Sequence, residues 1–327
     1  MAVTASVESL VQAAGTHVSA LMQALEHRLA ELSAGHGEAL ARHGGDTIAA
    51  GGKRLRPLLV FIVAGDLPGA PVGLVRAAVA VELIHSATLV HDDVLDAAEL
   101  RRGRPTVVAT AGRGVATATG DLLFSRAFAE LALNQRADEV QVLSDASSAL
   151  VQGELLQRAD AFQPAVTVER YLCRCELKTA RLFEAACRLG ALESPCEPQP
   201  PSDPLGRFGR AIGLAFQLLD DVLDVSGPPE RTGKARGTDL LDGTVTLPLI
   251  LARERDALLA GLDLHEVATP SDAEGVCQRI EASGALAAAR QRALAIVADA
   301  KASLPELPER QRAALELVAD GVVERYA

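Results

Sequence analysis

The chain has 327 residues, of which 49% are hydrophobic and only 3% aromatic, and it carries a net charge of −11. Abundant Ala and Leu favour packed helices over a β-sandwich, which draws on β-branched and aromatic strands. The acidic balance argues against a nucleic-acid binder, whose phosphate partner needs basic surface, while the length allows either two domains or one large helical one.

At the N-terminus no basic stretch precedes an apolar core, so no secretory signal is expected. No membrane span is expected either, because residues 72–90 are interrupted by Arg76, Glu82 and His85. Cys173, Cys175, Cys187, Cys196 and Cys277 lack paired zinc spacing and are expected as reduced thiols, which predicts a cytoplasmic protein. Along residues 5–33, Val7, Leu10, Val11, Ala14, Val18, Leu21, Leu25, Leu29 and Leu32 recur at the spacing of an amphipathic helix.

The first candidate for chemistry is GGKRLRP at 51–57, ahead of a helix predicted over 58–67. Its glycines let the backbone approach a ligand, Lys53 and Arg56 offer charge, and Pro57 suits a first helical turn. The Gly-x-x-x-x-Gly-Lys-Ser/Thr pattern of a nucleotide P-loop is absent, and a solvated basic loop accounts for the segment equally well.

Residues 71–96 read as one long central helix ending in Asp92, Asp93 and Asp96. On a helix Asp92 and Asp96 share one face, and His85 falls on the same face two turns upstream. Oxygen-only donors select hard cations such as Mg²⁺, and the following Arg101 and Arg102 supply fixed charge suited to a phosphate. A solvated acidic helix end with an ordinary basic turn, closed by Arg104-Pro105, is the blander reading.

Helices are predicted over 115–133 and 140–158, the second ending in Gln152-Gly153-Glu154-x-x-Gln157, which could order groups in a site or lie on a helix surface. Thr167 is a predicted N-cap for a helix to residue 192 that carries Lys178 and Thr179; a lysine there snorkels to solvent unless other site residues converge on it. Five prolines within 195–204 make that stretch a loop. The helical pattern returns over 205–225 and ends in Asp220-Asp221-Val222-Leu223-Asp224, a second Asp-Asp-x-x-Asp. Two matching acidic helix ends, each with a basic turn downstream, are hard to assign to solvation alone. The polar segment at 227–243, with Lys234, Gly237 and Asp239, could close over a ligand. Beyond Thr246-Leu247-Pro248-Leu249 the chain reads as Ala- and Leu-rich packing.

With both aspartate motifs in hand, the sequence resembles the trans-isoprenyl diphosphate synthases, the head-to-tail polyprenyl synthetase family. The resemblance runs over 51–248: GGKRLRP, the IH-x5-HDDVLD-x4-RRG stretch, KTA, FQLLDDVLD, GK-x2-G-x-DL and TLPL, in order and at matching spacing. It implies an all-α, single-domain bundle of ten or more helices around a deep cavity, usually a homodimer, with the motifs within 51–250 and C-terminal packing over 251–327. Asp92, Asp96, Asp220 and Asp224 are implied to hold Mg²⁺, expected as three ions, against the diphosphate of an allylic substrate. Arg101, Lys178 and Lys234 would add charge to the departing pyrophosphate, and Thr179 and Gln217 would stabilise the allylic cation with their oxygen dipoles. Isopentenyl diphosphate would be held by Lys53, Arg56, His85 and Arg102, with Asp93 and Asp221 supporting neighbouring basic groups rather than binding metal.

Short-product members of the family often carry a bulky aromatic four or five residues before the first aspartate, where this chain has Thr88 and Ala87, followed up the wall by Ile84 and Val81. One helical turn rises about 5.4 Å, close to one isoprene unit, so small residues here imply a product of about C30 to C50, with geranylgeranyl diphosphate as the alternative. One departure is Thr244, where the family often has a lysine after Asp-Leu-x-x-Gly. A class I terpene cyclase would want a more aromatic cavity and no second diphosphate site. A non-catalytic subunit of a heteromeric synthase would be expected to have degraded motifs, whereas both are complete here.

Overall fold

In a computed structural model the described residues are 11, 14–33, 38–49, 52–67, 69–101, 103–197, 199–227 and 236–324. Val7, Leu10, Gly51, Arg102 and Lys234 lie outside them. The three-and-four spacing at the N-terminus becomes α1 (Thr16–Ser33), whose Val18, Leu21, Leu25 and Leu29 are fully buried, followed by α2 (Glu38–Ala49). α3 (Leu55–Ala64) is buried from Pro57 to Ala64, as expected of a helix that is apolar all round.

α4 (Val72–Leu95) is the central helix, packed against α5 (Val107–Ala132), α3 and α8 (Arg181–Leu192). Contrary to the sequence reading, α4 is long and apolar enough to cross a bilayer; 67% of its apolar window is instead buried inside the bundle. Arg76, Glu82 and His85 do not lower its mean hydropathy enough to fail that test. Glu82 is neutralised in the interior, where it accepts from Arg54 Nη1 at 2.6 Å. Arg54 also donates to Glu26 at 2.7 Å and to the Ile48 carbonyl at 2.8 Å. This arginine of GGKRLRP is therefore structural, and removing one partner of such a buried pair costs about 3–5 kcal/mol.

A two-residue ladder, β1 (Leu100–Arg101) with β2 (Arg104–Pro105), follows α4 and turns through Gly103 at φ 73°. Apart from it the described structure is helical, in line with the all-α expectation. α5 starts well before the predicted residue 115 because Thr106 caps it, its hydroxyl accepting from the Ala109 N–H at 3.1 Å. Gly112, at φ 80°, kinks it one turn later and hides that start from the pattern.

α6 (Ala137–Asp160) leads to α7 (Val168–Cys175), capped by Thr167, then to a π turn (Glu176–Ala180) and α8. The proline-rich loop precedes α9 (Ser202–Ser226). The remainder comprises α10 (Thr238–Leu241), α11 (Leu247–Arg253), α12 (Ala257–Ala260), a 3-10 turn (Leu264–Glu266), α13 (Pro270–Ala282), α14 (Ala285–Ala302) and α15 (Glu309–Glu324). α14 lies along α9, and Gln311 of α15 donates to the Ile62 and Val63 carbonyls at 3.1 and 2.7 Å, closing the C-terminal end of α3. All five cysteines are free thiols. α8 packs on both α4 and α9 and so bridges the two helices that carry the aspartate motifs, while the π turn packs between α9 and α6.

Candidate active site

A cavity of about 760 Å³ is lined by Asp92 and Asp96 from the end of α4 and by Asp220 and Asp224 from the end of α9. The two motifs, far apart in sequence, therefore face one space. Lys53, Gln157, Arg158, Lys178, Thr179, Gln217, Asp239, Asp242 and Thr244 share its lining.

Lys178 and Thr179 are presented by the π turn, a local bulge that recurs at functional sites because it redirects side chains from the helical spiral. Close packing seats the turn: a Cβ on Gly153 of α6 would meet the Lys178 backbone nitrogen at 2.4 Å, so only glycine fits there. Lys178 is paired with Glu154, which also accepts from Arg158 Nε at 2.7 Å. Burial works against ionisation of Glu154, but Lys178 and Arg158 together hold its carboxyl below the usual range. Convergence of Asp92 and Glu154 on Lys178 removes the reading of this lysine as a solvent-seeking side chain.

The middle aspartates are engaged by other side chains, although Asp221 also lines the cavity. Asp93 accepts from Arg101 Nε at 2.7 Å. Asp221 accepts from the buried Tyr171 hydroxyl at 2.7 Å and from Gln217 Nε2 at 2.8 Å. Thr179 in turn donates to Gln217 Oε1 at 2.8 Å. The chain from Tyr171 through Asp221 and Gln217 to Thr179 fixes both polar groups at the cavity wall. Gln217 Oε1 is already occupied by the threonine hydroxyl, which leaves the Thr179 oxygen free to accept from or face a ligand. Asp224 holds Gly237 and Asp239 against the motif: its carbonyl accepts from the Gly237 N–H at 2.9 Å, and its carboxylate from the Asp239 N–H at 3.2 Å.

Burial pushes the Asp92 carboxyl up to about 6, with Lys178 opposing the rise and Glu154 adding to it. Burial, then the neighbouring Asp239, pushes Asp221 up as well. Hard carboxylate oxygens crowded in this way suit a divalent cation, which supplies the missing positive charge. Among the described residues no three Asp, Glu, His or Cys side chains already surround one cation position. Asp96 is held by Arg158 Nη2 at 2.6 Å.

The remaining sequence candidates sit outside this lining. Arg101 borders a second cavity of about 510 Å³ beside Arg42, Asp46 and Asp93. The Arg56 guanidinium stacks on Phe183 at 4.4 Å from the ring centre, its Nε has no hydrogen-bond partner among the described residues, and burial pushes it down to about 10, so it stays charged at neutral pH. His85 is half-buried, and its carbonyl accepts from the Thr88 hydroxyl at 2.8 Å. Ala87 and Ile84 are fully buried in the core and Thr88 half-buried. Sequence reasoning missed Tyr171 and Arg158, and gave Glu154 no definite role.

An aspartate-walled cavity inside an all-α bundle, with Lys178 and Thr179 of the π turn in its lining, fits a prenyltransferase, and the family model for polyprenyl synthetases matches residues 38–275. The chain belongs to that family and is a trans-prenyltransferase. It is 39% identical over 246 residues to heptaprenyl diphosphate synthase component 2 of Geobacillus stearothermophilus, covering 73% of this chain and 77% of that one. A decaprenyl diphosphate synthase from Rhodobacter capsulatus superposes with a TM-score of 0.87 at 32% identity, covering 98% and 99% of the two chains. A polyprenyl synthase from Caulobacter crescentus, solved with calcium and isoprenyl diphosphate, superposes at 0.86 with 34% identity over 100% of both.

Proposed function

We propose that this enzyme condenses isopentenyl diphosphate head-to-tail with an allylic diphosphate, repeatedly, to a polyprenyl diphosphate of about C30 to C50, each unit lengthening the tail by roughly one helical turn of wall. The observation that carries this reading is the one cavity shared by Asp92, Asp96, Asp220, Asp224, Lys53 and Lys178. Mg²⁺ ions held by the four aspartates, expected as three, would neutralise the allylic diphosphate and make it a better leaving group. The calcium and isoprenyl diphosphate bound to the Caulobacter relative support a divalent cation at such a site.

Lys178 lies beside Asp92, where it adds fixed charge to the leaving diphosphate; Lys234 and Arg101 are assigned to the same task. As the C1–O bond breaks, its electron pair leaves with the pyrophosphate, and Thr179, locked by Gln217, presents its oxygen dipole to the allylic cation. Lys53, Arg56, His85 and Arg102 would hold isopentenyl diphosphate. Its double bond forms the new bond to C1, and a proton passes from the resulting cation to the released pyrophosphate, restoring the alkene. The tail would run up α4 past Thr88, Ala87 and Ile84. Heptaprenyl and decaprenyl synthases among the relatives support the long product.

A homodimer belongs to the same proposal. It is supported by Val151 and Leu155, one turn apart on α6 and 54% and 65% exposed. A cytoplasmic location is supported by the five free thiols. The test is incubation of the purified protein with Mg²⁺, labelled isopentenyl diphosphate and farnesyl diphosphate, with chromatography of the dephosphorylated products. A ladder reaching about C30 to C50 is expected; a single C20 product would favour geranylgeranyl diphosphate synthesis, and no product either alone or with candidate partner subunits added would refute the proposal.

A further inference from the structure

One arginine in the cavity has no part in the scheme above. Arg158, on the last turn of α6, reaches across to α4 and donates Nη2 to Asp96 at 2.6 Å, while its Nε is held by Glu154 at 2.7 Å. Asp96 is one of the four carboxylates assigned to the cations, so a guanidinium is hydrogen-bonded to an oxygen that a divalent ion would also use. The two contacts differ in kind. Glu154 is four residues back on the same helix and is also anchored by Lys178, so the Nε bond is a tether. The bond to Asp96 joins two different helices near the solvent, with 42% and 41% of the side chains exposed, and can be exchanged.

The end of α6 also lies against the loop that carries Thr244. The Phe162 N–H donates to the Gly243 carbonyl at 2.8 Å, and a Cβ on Gly243, at φ 70°, would strike the Phe162 ring at 2.5 Å. Thr244 and Arg158 line the same cavity. A threonine at 244 brings no charge to this wall; the arginine one helical turn before Phe162 does.

We infer that Arg158 is a displaceable counter-charge and a diphosphate-binding residue: it neutralises Asp96 until a divalent cation binds, then yields that carboxylate and turns the freed Nη groups to the diphosphate while Glu154 keeps hold of Nε. This rests on the proposed function, since it takes the diphosphate site as given. A guanidinium suits the task because it can keep one hydrogen bond while exchanging another, which an ammonium does with less directional control.

The test compares wild type with Arg158→Gln, Arg158→Lys and Arg158→Gln combined with Thr244→Lys. In calorimetric titrations of substrate-free protein with MgCl₂, Arg158→Gln should bind Mg²⁺ about threefold more tightly, because an exposed ion pair no longer competes. In steady-state assays the same variant should raise the KM for farnesyl diphosphate about tenfold, the size of a lost charge-assisted contact, with a far smaller change in kcat. Thr244→Lys should recover most of that loss, and Arg158→Lys should show the KM defect only in part. Mg²⁺ affinity no greater than wild type, an unchanged KM, or a double variant no better than Arg158→Gln would each overturn the inference. If wild type made no product, the proposed function would fail by itself, and the Mg²⁺ titrations would still decide whether Arg158 competes for Asp96.

Discussion

At the end of α4 the middle aspartate is paired with a one-third exposed arginine, Arg101, and the last one with Arg158, whereas at the end of α9 the middle aspartate is buried under a tyrosine hydroxyl and a glutamine amide. The same Asp-Asp-x-x-Asp sequence is thus held by two arginines that reach solvent on one wall and by a buried tyrosine hydroxyl and a glutamine amide on the other, although Asp93 itself is as buried as Asp221. The exposed Asp96–Arg158 pair contributes little to stability and exchanges readily, and Arg101 can turn to water if it loses Asp93, while a buried hydroxyl left unpaired costs the full desolvation of its group. The α4 wall is therefore the adjustable one and the α9 wall the rigid one.

The largest effect should ignore this difference. Asp92→Ala and Asp220→Ala each remove a cavity carboxylate, and each should lower the condensation rate about a thousandfold, the scale of lost electrostatic stabilisation at a reacting centre. A rate assay in which one of them retained near-normal turnover would show that the walls are not equivalent in chemistry. The middle positions should then separate them. Asp221→Ala strands the buried Tyr171 hydroxyl and Gln217, and should lower unfolding free energy by about 3 kcal/mol in denaturant titrations, against about 1–2 kcal/mol for Asp93→Ala, which leaves only the one-third exposed Arg101 to be rehydrated. Equal losses would contradict the assignment of rigid and adjustable walls.

Smaller effects sharpen the picture. Glu154→Gln loosens Lys178 and Arg158 together, and should raise the KM for the allylic substrate about fivefold, one charge-assisted contact being weakened rather than deleted. Lys53→Ala should raise the KM for isopentenyl diphosphate more than that for the allylic substrate; equal effects would reassign Lys53. On the tail, Thr88→Phe is a better probe than Ala87→Phe, since Ala87 is fully buried and overpacking there costs about 1–3 kcal/mol before any effect on length is read. Thr88→Phe should truncate the ladder by chromatography, and an unchanged ladder would rule this wall out as the ruler.

The sequence made the helices and the four cavity aspartates legible because both follow from fixed spacing: an apolar three-and-four repeat, and carboxylates four apart at its end. It also carried Lys178 and Thr179, but not the π turn that presents them, since nothing in Glu176–Ala180 differs in composition from an α-helix. Gly153 was the trace of that turn, left by the other helix where the backbones meet. Tyr171 and Arg158 were invisible for another reason. Each acts on a partner tens of residues away, Asp221 and Asp96, and a lone tyrosine or surface arginine on a helix carries no local sign of such a partner. α4 was read as too interrupted to span a membrane, yet by length and hydropathy it is long and apolar enough, because a core helix and a spanning helix share one composition and differ only in what surrounds them.

The claim at the centre is that two aspartate walls grip one allylic diphosphate through divalent cations. Calorimetric binding of the inert analogue farnesyl thiodiphosphate in Mg²⁺ tests it most directly, with wild type, Asp92→Asn, Asp220→Asn and the double variant. Because both walls hold one ligand, each single change should abolish most of the binding and the double change should add little beyond either, the signature of residues acting as a unit. Analogue binding that survived either single substitution at wild-type strength, or losses that simply added in the double variant, would contradict it.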